Sequence, residues 1–206
     1  MNLRTQPALI FAALFLPFCS LAQTAGQTHQ EADTPYILSA PAGWQTERFA
    51  LPPDFAVGFS YAGTEDIRFT PGWGDVKSEE HWSYSYLWWL NGAPSIDAST
   101  LTSNLQAYYS GLVGRNIASV PKEKIVPTTV TVKKTKTTAG DRETYTATIN
   151  MLDYHEQKPI VLTGMIHVKK IATKDHTAVF IEISPKPQSH PVWKKMDEIG
   201  EKFSVK

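Results

Sequence analysis

Asp75, Glu79, Glu80 and His81 crowd four ionisable side chains into one short stretch of the chain. Two carboxyls and an imidazole are the groups from which acid–base hydrolysis is built, one carboxyl giving a proton while another group activates water. Spacing limits how they combine. In an extended segment Glu79 and Glu80 point to opposite faces and cannot serve one substrate, whereas in a loop they can. Asp75 with either glutamate is the geometrically freer pair, and solvated acids ahead of a strand give the same pattern with no chemistry at all. The remaining histidines form no motif. His167 falls on a polar strand face with Thr163 and Lys169, His176 in a turn, His190 at a helix start, His155 in the polar loop Asp153–Lys158, and His29 in a polar leader. Without HExxH or His-x-His spacing, no metal or cofactor is expected, and a metal site would have to be assembled from distant elements. Gly-x-Ser-x-Gly is also absent, so no serine sits in a nucleophile elbow.

The same region carries rings. Trp73, Trp82, Trp88 and Trp89 are four of the six tryptophans, and thirteen aromatic residues lie between Tyr36 and Leu90. Exposed rings stack on sugars or flat ligands with little loss of entropy, while rings on one face of a strand more often fill a core. In His81–Leu90 (HWSYSYLWWL) strict alternation sets Trp82, Tyr84, Tyr86 and Trp88 against Ser83, Ser85, Leu87 and Trp89. One aromatic set is therefore expected to line a pocket or a partner surface. Trp73, Trp82, Trp89 and Asp75 are the candidate ligand-binding residues. The Gly72–Gly74 loop beside them lacks the downstream glycine and lysine of a phosphate-binding loop, and its glycines permit a tight turn.

Elements must position these groups. Alternation predicts strands at Gln45–Leu51, Glu65–Thr70, His81–Leu90, Thr128–Thr138, Glu143–Met151, Pro159–Ile171 and Thr177–Ser184, bounded by Pro52-Pro53, Pro71-Gly72, Asn91-Gly92, Ala139-Gly140-Asp141 and Pro185. Ile67 and Phe69 alternate with Asp66 and Arg68, which predicts a half-buried strand. Between Asp97 and Asn116 the period changes to helical, with Leu101, Leu105, Tyr108, Tyr109 and Leu112 on one stripe and Asp97 or Ser99 as cap. His190–Phe203 repeats that spacing with Val192, Met196, Ile199 and Phe203, and Pro191 is tolerated in its first turn. The fold class is α+β: an antiparallel sheet of six or seven strands with two main helices packed on it. Threonine and lysine faces on the middle strands predict that part of the sheet meets water.

The chain has 206 residues, with 20 Lys and Arg against 20 Asp and Glu. Arg4, the apolar run Ala8–Phe18, and Ser20 and Ala22 at a peptidase-like spacing read as a signal peptide over residues 1–22, cleaved near Ala22. The run is too short to span a bilayer. Cys19 would carry the lipid of a lipoprotein, but bulky Phe18 precedes it where that processing takes a small residue. Residues 23–35 form a polar leader, and residues 36–206 a single domain, exported to the periplasm or beyond. Cleavage removes Arg4 and no acid, so the surface has no net field to gather phosphates, and nucleic acid is not an expected partner. Cys19 is the only cysteine, so the mature chain has no thiolate chemistry and no internal disulfide.

The opening Pro41-Ala42-Gly43-Trp44, the strand-rich middle and the closing helix with Trp193, Ile199 and Phe203 resemble an exported bacterial domain of unassigned function. The layout over residues 36–206 is similar to PsbP-like domains, which implies a non-catalytic accessory or binding role and carries no site residue with it. Three functions stay open from the sequence: a binding or accessory domain using its aromatic surface, a carboxylate-dependent hydrolase using Asp75, Glu79, Glu80 and His81, and a protein-interaction module. The small-molecule or protein partner is unspecified in each.

Overall fold

Seven of the period-two segments hydrogen-bond into one antiparallel sheet, and the two helical stripes cover its faces. The structure is a computed structural model that describes residues 34–206 apart from Lys174. The expected signal peptide, its cleavage at Ala22, Cys19 and nearly all of the leader lie outside the described residues. Pro35–Lys206 forms one compact unit. The strands of the large sheet are β2 (Gln45–Leu51), β3 (Gly63–Phe69), β4 (Tyr84–Asn91), β5 (Thr129–Lys134), β6 (Asp141–Asp153), β7 (Lys158–Lys169) and β8 (His176–Ser184). Their spatial order is β2-β3-β4-β8-β7-β6-β5. The first strand, β1 (Tyr36–Ile37), pairs antiparallel with the last, β9 (Ser204–Val205), in a separate two-stranded sheet. No helix among the described residues is long and apolar enough to cross a membrane.

Helix α1 (Ala98–Asn116) starts where Asp97 caps it. Asp97 Oδ1 accepts from the Ser99 and Thr100 amides at 2.8 and 2.9 Å, while Thr100 Oγ1 accepts from the Asp97 amide at 3.0 Å. Its buried stripe of Leu101, Leu105, Tyr108, Tyr109 and Val113 packs on the sheet face that carries Ile67, Tyr84, Tyr86, Trp88, Ile149, Ile166 and Ile181. Leu112, predicted for that stripe, is only partly buried beside it. Helix α2 (Pro191–Glu201) covers the other face. Ile199 packs with Leu87, Trp89, Ala178 and Phe180, and Val192, Trp193 and Met196 make a neighbouring cluster. Toward β5 and β6 that face is open, with Thr131, Lys133 and Thr148 exposed, as the threonine and lysine pattern predicts.

Two expectations change. The strand predicted from His81 starts at Tyr84, because Trp82 takes a left-handed backbone at φ +55° and belongs to a run of turns. Strand β3 is buried on both faces rather than one. Asp66 and Arg68 turn away from α1 but meet partners instead of water: Tyr36 Oη and Arg48 donate to Asp66, and Arg68 donates to Asp66 and to the Leu38 and Ser39 carbonyls. Burial of these charges is tolerated because each is paired.

Candidate functional site

The segment between β3 and β4 folds back on itself through consecutive turns. Trp73, Asp75, Ser78 and His81 each donate a backbone N–H to a carbonyl three residues earlier, and Thr70 Oγ1 ties the base of the loop to the Ser83 carbonyl at 2.9 Å. A Cβ at Gly72 would lie 1.9 Å from Ser78 Oγ and 2.7 Å from Ser78 Cβ, so a larger residue there would have to displace the Ser78 side chain. The Trp73 carbonyl is the hub of the loop and accepts both the Trp82 amide at 3.1 Å and His81 Nδ1 at 3.0 Å.

This loop forms one wall of a cleft of about 360 Å³ between the end of α1 and the rim of the sheet. Phe49, Phe69, Tyr84 and Tyr108 line it together with Phe55, Leu112 and Tyr154, and Trp73 and Trp82 close one side. The rings hold one another edge-on. Trp73 and Trp82 have centroids 5.6 Å apart at 67°, and Phe55 meets Tyr108 at 5.2 Å and 76°. Its volume falls in the range of small-molecule pockets. Gly111 lets the helix approach, because a Cβ there would lie 1.9 Å from the Phe55 carbonyl oxygen. Arg115 sits at the mouth, its guanidinium 5.1 Å from the Phe55 ring and its Nη1 3.3 Å from Asp54. The Trp73 indole N–H is buried and has no hydrogen-bond partner among the described residues. That of Trp82 lies near the Asp153 carboxylate without closing a hydrogen bond.

The residues singled out in the sequence scatter around this cleft. Trp73 is half-buried in its wall, and Trp82 is buried behind it. Trp89 lies on the opposite sheet face, 5% exposed, packed against Tyr36, His176 and Phe203. Both aromatic faces of β4 are therefore covered by protein. Asp75 is exposed and accepts the Lys77 amide within its own turn. Glu79 pairs with Lys186 at 2.5 Å and Glu80 with Lys195 at 2.7 Å, so each acid is directed to a separate lysine beyond the loop. His81 turns inward, and its Nε2 meets Asp153 Oδ2 at 2.9 Å. The four residues thus do not converge on one point.

Two groupings escape the sequence pattern. The first joins His81 to the β6–β7 turn. Asp153 Oδ1 accepts the amides of His155 and Glu156 at 2.8 and 3.3 Å. Burial opposes its charge, but the His81 contact and those amides hold its carboxyl below the usual carboxylate range. The His155 ring stacks on Trp82 at 5.5 Å and 24°. The second lies on the α2 face, in a cavity of about 570 Å³ lined in part by His167, Lys169, Glu182 and Asp197. His167, expected on a solvated face, is 6% exposed, with Nδ1 2.6 Å from Asp141 Oδ2 and Nε2 3.4 Å from Glu182 Oε2. Burial works against charge on His167, yet the two carboxylates raise its pKa to about 9. Burial, with the Asp197 charge, pushes Glu182 up to about 7. Lys169 Nζ faces Asp141 Oδ1 at 3.2 Å. Ion pairs join this network, although Glu182 Oε1 and Oε2 and Asp141 Oδ1 have no hydrogen-bond partner among the described residues; the aromatic cleft differs in being walled mainly by rings.

A scan against protein-family models finds no match, and neither the curated proteins nor the solved structures contain a match to this chain.

Proposed function

We propose that this chain is an exported binding or accessory domain, without catalysis of its own, that holds a small apolar or aromatic molecule bearing an oxygen acceptor in the cleft between α1 and the loop of Trp73. The observation that carries this reading is the concave wall of rings at that mouth, with the partly buried Trp73 on one side and the Arg115 guanidinium at the opening. Apolar walls supply most of the affinity in such pockets, and a few polar groups fix orientation. The Arg115 guanidinium at the mouth is the group that would meet an acceptor or an anionic oxygen. The accessory role agrees with what a PsbP-like layout implies. The dispersal of Asp75, Glu79, Glu80 and His81 supports binding over hydrolysis.

Anilinonaphthalene sulfonate, an apolar ring system with an anionic group, is a direct probe. Saturable enhancement of its fluorescence at one site per chain is the expected result, with Trp73→Ala weakening binding by roughly tenfold or more. Leu112→Trp, which fills the cleft from α1, has the same effect without removing any ring. Trp89→Phe leaves the affinity unchanged. Non-saturating binding, or binding indifferent to both cleft substitutions, overturns the reading.

A further inference from the structure

His81, Asp153 and His155 each offer a ligand atom, and those atoms all lie within 4.8 Å of one another. Two of the three are already fixed in the way metal ligands are fixed. His81 Nδ1 donates to the Trp73 carbonyl at 3.0 Å, which leaves Nε2 as the atom turned toward Asp153. A backbone carbonyl on the distal ring nitrogen is the usual second contact of a metal-bound histidine. Asp153 Oδ1 is held by two backbone amides, so Oδ2 is left as the atom directed at His81. The spacing of Nε2 and Oδ2, 2.9 Å, matches two donors about 2.0–2.2 Å from a common ion at an angle near 90°. His155, exposed on the β6–β7 turn, already holds a ring nitrogen within 4.8 Å of both.

We propose that His81, Asp153 and His155 form a site for one divalent first-row transition-metal ion of the zinc class. Two imidazoles and one carboxylate are borderline donors that favour Zn²⁺, Co²⁺, Ni²⁺ or Cu²⁺ over the all-oxygen coordination of Ca²⁺ and Mg²⁺. Three protein ligands leave at least one position for water. On binding, the ion replaces the proton that joins His81 Nε2 to Asp153 Oδ2. The ion would lie beside two indoles, since the His155 ring is 5.5 Å from Trp82 and 5.4 Å from Trp73. The inference does not depend on the cleft being a ligand site.

The test uses the full chain, stripped of metal with chelator and titrated with Zn²⁺ by calorimetry and with Co²⁺ by tryptophan emission. One Zn²⁺ per chain and saturable quenching by Co²⁺ are expected. His155→Ala, at an exposed position that leaves the fold intact, lowers Zn²⁺ affinity by roughly tenfold or more and removes the quenching. His176→Ala, on the opposite sheet face, changes neither and controls for weak binding to scattered histidines. Absence of saturable binding, or equal affinity in His155→Ala, overturns the site. Mg²⁺ binding equal to that of Zn²⁺ overturns the donor argument.

Discussion

Glu65 places a carboxyl beneath α1 with no exposure to solvent, and two aromatic donors reach it: Tyr108 Oη at 2.8 Å and Trp88 Nε1 at 3.0 Å. Burial pushes its pKa up to about 8, although both donors favour the charged form. At neutral pH the folded protein therefore holds a proton there that the unfolded chain has released. Glu65→Gln supplies one acceptor and one donor in nearly the same shape, as the protonated acid does. The variant is expected to match the parent near pH 5 and to exceed its melting temperature above about pH 8. A variant less stable at alkaline pH contradicts this. Nothing in Gly63–Phe69 foretells it, since a glutamate alternating with Ile67 across one face looks like an ordinary edge residue until Tyr108 and Trp88 are brought over it. His81 poses the same difficulty. Its partner Asp153 is 72 residues away, and the sequence links it only to its neighbours Glu79 and Glu80.

The elements themselves were far more legible. The 3.6-residue stripe and the Asp97 cap locate α1 to within a residue, because both are local signals. Period-two runs locate the strands of the large sheet for the same reason. What the pattern lacks is the partner on the other face: Asp66 and Arg68 alternate as a solvated face would, and only the approach of Tyr36, Leu38 and Arg48 makes them interior. The left-handed turn at Trp82 is also invisible, since it is imposed by the closure of the 70–83 loop and not by the tryptophan. The two ends of α1 have separable roles. Asp97→Ala removes the cap far from the cleft and should lower stability by about 1 kcal/mol while leaving probe affinity intact. Gly111→Ala presses a methyl group on the Phe55 carbonyl and should lower stability by roughly 1–3 kcal/mol and weaken the probe as well, because Phe55 and Arg115 form one wall. Chemical denaturation paired with probe titration separates the two outcomes. Equal loss of affinity in both variants would mean that the wall is not built as described.

Among the buried carboxyls and imidazoles of the described residues, three bind protons more tightly when folded: Glu65 to about 8 and Glu182 to about 7, both from 4.5, and His167 to about 9 from 6.5. A raised folded pKa contributes stability that is complete below the unfolded value and lost as pH rises through the folded one. His167 and Glu182 face Asp141 from β6, Lys169 from β7 and Asp197 from α2, so the titration belongs to the network. Asp141 and Asp153, held low by their partners, act in the opposite sense and lose their contribution in acid. The melting temperature is expected to peak in mildly acidic buffer, near pH 5, and to fall steadily from about pH 6 to pH 9.5. A melting temperature that rises over that span would contradict the assignment of these buried protons.

The central claim is that the rings around Trp73 meet a guest while those around Trp89 only fill the interior. Among six tryptophans, the indole N–H signals in a proton–nitrogen correlation spectrum report on each site separately. On titration with anilinonaphthalene sulfonate, the Trp73 signal is expected to shift progressively and saturate, while those of Trp89 and Trp193, on the far sheet face, stay in place. A stationary Trp73 signal, or all six moving together, would contradict the account.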